Sequence, residues 1–96
     1  MATYVSLAKL TCEGFRQYKQ GRQRWQEAKT AIETAGGKVL GAYAVMGPYD
    51  FIFITEFPDE RRATSVLMKA SSSGEINFQT MTAIPIEDFH KLAEQL

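Results

Sequence analysis

Residues Thr3 to Leu10 alternate, with Thr3, Val5 and Leu7 on one side and Tyr4, Ser6 and Ala8 on the other, which predicts a first strand. From Thr11 the period lengthens. Thr11 can cap a helix and Glu13 falls in its first turn, Gly21 interrupts, and Trp25, Ala28, Ile32 and Ala35 then form an apolar stripe that ends at Gly36-Gly37. Lys38 to Met46, rich in Val, Leu and Tyr, predicts a second strand, and the turn at Gly47-Pro48 leads back along a third, Asp50 to Phe57. Pro58 with Asp59 and Glu60 starts a second helix, with Ala63, Val66, Leu67 and Ala70 at three- and four-residue spacing. Ser71-Ser72-Ser73-Gly74 ends that helix. Ile76, Phe78, Thr80, Thr82 and Ile84 alternate as a fourth strand, Pro85 closes it, and Ile86, Phe89, Leu92, Ala93 and Leu96 mark a last amphipathic helix.

The order strand, helix, strand, strand, helix, strand, helix is that of two right-handed strand-helix-strand units joined by a hairpin. It predicts an α+β, ferredoxin-like βαββαβ sandwich with a C-terminal helix. In that topology the first and third strands are central, both main helices cover one face of the sheet, and the other face is bare. The third strand makes this consequential, because Phe51 and Phe53 point one way and Ile52 and Ile54 the other, so both faces need cover. One short chain supplies one cover. Phe51, Ile52, Phe53 and Ile54 therefore mark an oligomer face, and the chain is expected to form a homodimer or higher homo-oligomer.

Ninety-six residues correspond to one domain spanning 1–96, and 45% hydrophobic with 23% charged residues is an ordinary globular composition. No apolar run approaches the roughly 20 residues that span a bilayer, so no membrane partner is expected. The start Met1-Ala2-Thr3-Tyr4-Val5 lacks the basic region and apolar stretch of a secretory signal, which together with a lone cysteine predicts the cytosol. Net charge is zero but uneven: residues 9–29 hold six basic and two acidic side chains, leaving five basic and nine acidic elsewhere. Within that basic segment Tyr18 to Trp25 interleaves aromatic and cationic residues as single-strand binders do, yet a solvated helix surface reads the same way and nucleic acid is disfavoured.

The chain resembles the GYD domain family, named for glycine, tyrosine and aspartate at the second hairpin, here Gly47, Tyr49 and Asp50. The opening Met1 to Leu7, Gly36-Gly37-Lys38-Val39, Gly41 with Tyr43, and Pro58-Asp59 extend the resemblance over nearly the whole length. It implies a ferredoxin-like fold related to dimeric α/β barrels and no particular reaction.

Chemistry-bearing residues are few. Asp50 beside Tyr49 can bind a polar ligand or relay a proton; equally, the aspartate can accept backbone N–H bonds at a hairpin end while the tyrosine packs over the edge. His90, the only histidine, falls off the last helix's apolar stripe, which predicts a solvated position rather than a haem ligand or general base. Cys12 has no histidine nearby to act as its base and is expected to be a small buried side chain. One histidine and one cysteine exclude the usual zinc sets, and no glycine motif indicates a nucleotide, so neither metal nor cofactor is expected. The reading that follows is an oligomeric binding or regulatory module for a small ligand rather than an enzyme. Its candidate site lies where Tyr4, Tyr43, the uncovered part of Phe51 to Ile54, and Tyr49 with Asp50 converge. The alternatives are a cofactor-independent enzyme of the dimeric α/β-barrel kind, an oxygenase or isomerase on a small aromatic substrate, and a purely structural assembly subunit.

Overall fold

The computed structural model describes residues 1–96. Strand β1 (Ala2–Leu10) is followed by a short helix α1 (Cys12–Arg16), a tight helical turn at Tyr18–Gln20 and helix α2 (Gly21–Thr34). Strands β2 (Lys38–Ala44) and β3 (Phe51–Phe57), helix α3 (Glu60–Ser71), strand β4 (Ile76–Ala83) and helix α4 (Ile86–Glu94) complete the chain. The strands form one antiparallel sheet in the order β2-β3-β1-β4. This is the ferredoxin-like βαββαβ arrangement with an added C-terminal helix, as the hydrophobic pattern predicts.

Capping follows the sequence closely. The Thr11 hydroxyl accepts from Gly14 N–H at 3.2 Å, and the Asp59 carboxylate accepts from Arg62 N–H at 2.9 Å. The first helical segment departs from expectation: it breaks at Gln17, and Gly21 opens α2 instead of interrupting one long helix. A Cβ at Gly14 would lie 2.1 Å from the Glu75 carbonyl, so glycine there lets α1 pack directly against the segment that leads into β4. Cys12 begins this short helix and is exposed, which corrects the expectation of burial; the side of α1 that faces inward belongs to Gly14.

Pairing registers decide which side chains share a face. Tyr4, Ser6 and Ala8 pair across β1 with Thr55, Phe53 and Phe51 of β3, and with Thr82, Thr80 and Phe78 of β4. Trp25 of α2 stacks on Phe53 with ring centroids 5.3 Å apart, so this is the face beneath the helices. Val5, Leu7, Ile52, Ile54 and Met81 occupy the opposite, uncovered face. Strand β2 carries a bulge between Val39 and Gly41. Val39 pairs with Thr55 on the helix side, yet beyond the bulge Tyr43 pairs with Ile52, so the extra residue has moved Tyr43 to the uncovered face.

The packed core is small and lies at one end. Tyr4, Ile32, Phe57 and Ala63 form it, with Ala2, Ala35, Val39 and Val66 against it. Only nine of 96 residues are buried, and the radius of gyration of 14.6 Å exceeds the roughly 12.5 Å of a compact domain of this length. Two features account for the difference. Helix α4 is exposed along its whole length, and away from the core the helix layer stands off the sheet.

Candidate ligand cavity between the helices and the sheet

The space left by that stand-off is a cavity of about 660 Å³, within the range of small-molecule sites. The sequence builds it by placing small residues where a filled core needs large ones. Ser6 of β1, Thr55 of β3 and Thr80 of β4 face inward from the sheet, while Ala28 and Ala31 of α2 and Ala63 and Ala70 of α3 line the roof. None reaches far enough to close the gap.

The floor is graded along the strands. Furthest from the core, Phe51, Ala8 and Phe78 form an apolar row; next come Phe53, Ser6 and Thr80; nearest the core are Thr55 and Tyr4. Phe53 is the hub of the aromatic part, 5.3 Å from Trp25, 5.9 Å from Phe51 and 6.3 Å from Phe78, centroid to centroid. Ser6 and Thr80 share a hydrogen bond of 2.9 Å between their hydroxyls. Tyr4 is 5% exposed and sets its ring edge-on to Phe57, 6.0 Å away. Its Oη is buried and has no hydrogen-bond partner.

One end of the cavity is closed by the core residues Tyr4, Ile32, Phe57 and Ala63. It opens to solvent at Tyr18 and at Ala42 and Ala44 of the edge strand, which are exposed although the edge-strand pair shares the helix-side register. Charges occur only among the more peripheral lining residues. Arg24 of α2 donates from Nε and Nη2 to the two carboxylate oxygens of Glu75, each at 3.1 Å, tying α2 to the segment that leads into β4. The hydrogen bond and the charge of Glu75 hold the Arg24 guanidinium above its ordinary pKa.

The structure separates the residues expected to converge. Tyr4 lies under the helices at the core end of the cavity, whereas Tyr43 is 59% exposed, pairs with Ile52 in the register of the uncovered face, and borders the cavity only at the edge strand. The bulge at Leu40 is the cause. Of the four residues expected to form an oligomer face, Phe51 and Phe53 point into the cavity and only Ile52 and Ile54 point outward. Asp50 and Tyr49 hold strand ends together. The Asp50 carboxylate accepts from Leu10 N–H at 2.8 Å and its backbone N–H donates to Ala8 O at 2.8 Å, while the Tyr49 hydroxyl donates to Gln79 Oε1 on β4 at 2.5 Å. Gly47, at φ +120°, supplies the backbone that lets the loop close. His90 is exposed at the edge of the Phe89 ring, 5.5 Å away. Trp25, Phe78, Ser6 and Thr80 were not singled out by sequence as cavity residues; the signal that could have found them is the run of small inward-facing residues.

The fold and the cavity together define a ferredoxin-like α+β domain with a ligand-sized hollow inside the protomer and an apolar sheet face outside it. The sequence pattern of the GYD domain matches residues 4–93, and the chain belongs to the GYD domain family. A Thermus thermophilus relative, the "Glutamine synthetase and cystathionine beta-lyase binding protein", is 32% identical over 89 residues, 92% of this chain and 94% of that protein. Among solved structures, FFRP-DM1 superposes with a TM-score of 0.61 at 24% identity, over 88% of this chain and all of that one. The leucine response regulatory protein of Mycobacterium tuberculosis gives a TM-score of 0.56 at 10% identity, over 88% of this chain and 51% of that chain. At these identities the two structures share the fold.

Proposed function

We propose that this GYD-domain protein is an oligomeric binding or regulatory module that holds a small molecule in the cavity between its helix layer and its sheet. One observation carries the reading: a hollow of about 660 Å³ is lined at its core end by Tyr4, whose Oη is buried and unpartnered. A buried polar group with no partner is costly, and a bound molecule supplying one would repay that cost. Assembly uses the uncovered face, where Val5, Leu7, Ile52 and Ile54 of one copy meet those of a second. The candidate site moves accordingly, keeping Tyr4, with Tyr43 at the edge of the cavity and Tyr49 and Asp50 outside its lining.

A second reading concerns a protein partner. The Thermus relative is named for binding two enzymes, and here Ile86, Phe89 and Leu92 of α4 are 53–60% exposed. A helix with that apolar stripe and no partner in its own protomer suits docking on another protein.

Native mass spectrometry of the purified protein, with emission from Trp25 as the only tryptophan, tests the first reading. The expected result is a homo-oligomer carrying a small-molecule adduct whose removal shifts the Trp25 emission. An adduct-free monomer with unchanged emission on addition of apolar dyes would overturn it.

A further inference from the structure

We infer that the cavity takes a neutral, flat aromatic molecule bearing one hydroxyl or carbonyl oxygen, and that this oxygen goes in first, toward Tyr4. The inference rests on the binding reading above and adds the chemistry of the ligand.

Three features of the cavity carry it. The first is the inventory of hydroxyls: Ser6 and Thr80 share one hydrogen bond at 2.9 Å, whereas Tyr4 Oη, beside Thr55 in the row nearest the core, has no partner. A phenol both donates and accepts, so a ligand hydroxyl or carbonyl answers it equally well. The second is the grading of the floor. Phe51 and Phe78 form the row furthest from Tyr4, and Phe53 lies between, nearly parallel to Trp25 at 16°. Such a floor offers ring faces and edges to an aromatic body whose polar end already sits at the closed end. The third is charge. The ionic residues lining the cavity are Arg24, Lys69, Glu27 and Glu75, two of each sign, and Arg24 is already held by both oxygens of Glu75. Lys69 and Glu27 are exposed, so an ionised group directed toward Tyr4 would leave their reach and enter an apolar slot unpaired or would have to break the Arg24–Glu75 pair, and both disfavour it against a neutral one.

The test compares naphthalene, β-naphthol and β-naphthoate, three probes of one ring system, by calorimetry at neutral pH on the intact protein and on Tyr4→Phe. β-Naphthol is expected to bind about tenfold more tightly than either other probe, the difference one added hydrogen bond makes. Tyr4→Phe, with circular dichroism checking that it folds, should remove that advantage and leave naphthalene binding within about twofold, as expected when only the polar partner is lost. Equal binding of naphthalene and β-naphthol, tightest binding of β-naphthoate, or a β-naphthol affinity indifferent to Tyr4→Phe would overturn the ligand chemistry while the cavity reading stands. Failure of all three probes to bind would overturn the cavity reading and the inference with it. If Tyr4→Phe does not fold, the ranking of the probes on the unmodified protein decides.

Discussion

The two faces of the sheet are provisioned in opposite ways. The face beneath the helices is under-filled: Ser6, Thr55 and Thr80 stand where bulky residues would close the core, and a cavity remains. The face without helices is over-provisioned, with Val5, Leu7, Ile52, Ile54 and Met81 turned toward solvent. A monomeric two-layer domain needs the reverse, large apolar side chains inside and polar ones outside. The contrast separates two kinds of occupant. A graded hollow closed at one end suits a small molecule, whereas a flat apolar face suits something as large as another protein.

The sharpest way to break the comparison is to remove the one well-packed part of the covered face. Phe57 is 3% exposed and anchors the core at the closed end of the cavity. Phe57→Ala should cost about 3–5 kcal/mol of stability, read by urea denaturation. A loss below about 1 kcal/mol would mean that the helices are not held to the sheet even here, and the distinction between a closed and an open end would fail.

Next in size is the tie between the hairpin loop and the end of β1. Asp50 bonds the Leu10 amide with its carboxylate and the Ala8 carbonyl with its own amide. Asp50→Ala should therefore lower stability by about 1.5–3 kcal/mol, the range for a hydrogen bond to a charged group, with Asp50→Asn milder. If the aspartate instead served a ligand, both substitutions would leave the urea midpoint unchanged and weaken binding.

Much of this architecture was legible in the order of the elements, because strand and helix periods are distinct and Asp59, Thr11 and Gly47 mark their ends. The faces were legible on β1, where Val5 and Leu7 alternate with Ser6 and Ala8, whereas on β3 the period separated Phe51 and Phe53 from Ile52 and Ile54 without telling which pair lies beneath the helices. They were not legible on β2. Leu40-Gly41-Ala42-Tyr43-Ala44 offers little contrast between neighbouring positions, so nothing in it announces the bulge that carries Tyr43 away from Tyr4. The cavity was hidden for a different reason: periodicity says which residues face inward, and only their summed size says whether they meet. The small side chains of Ser6, Thr80, Ala28, Ala31 and Ala70 were the overlooked measure of that distance. The aromatic residues beside them drew attention as core or as oligomer face.

Filling the hollow sharpens the contrast. Ala28 lines the cavity from α2 and is half-buried, so Ala28→Phe places a ring in empty space and should raise stability by about 1 kcal/mol. The same substitution should abolish uptake of an aromatic probe, measured by Trp25 emission. A destabilised variant that still binds would place the occupant elsewhere.

The smallest effect on folding should come from the uncovered face, and there it teaches the most. Ile54 points away from the helices between Val5 and Gly41, and a protomer alone gains little by covering it. Ile54→Asp should therefore change the stability of dilute, monomeric protein by no more than about 0.5 kcal/mol, as surface substitutions do. In concentrated protein the same carboxylate would be buried against a second apolar face with nothing to pair it, and the assembly should dissociate in sedimentation velocity. A variant that loses several kcal/mol while still monomeric would mean that Ile54 supports its own protomer. The apolar face would then belong to this chain's core, and the opposition between the two faces would collapse.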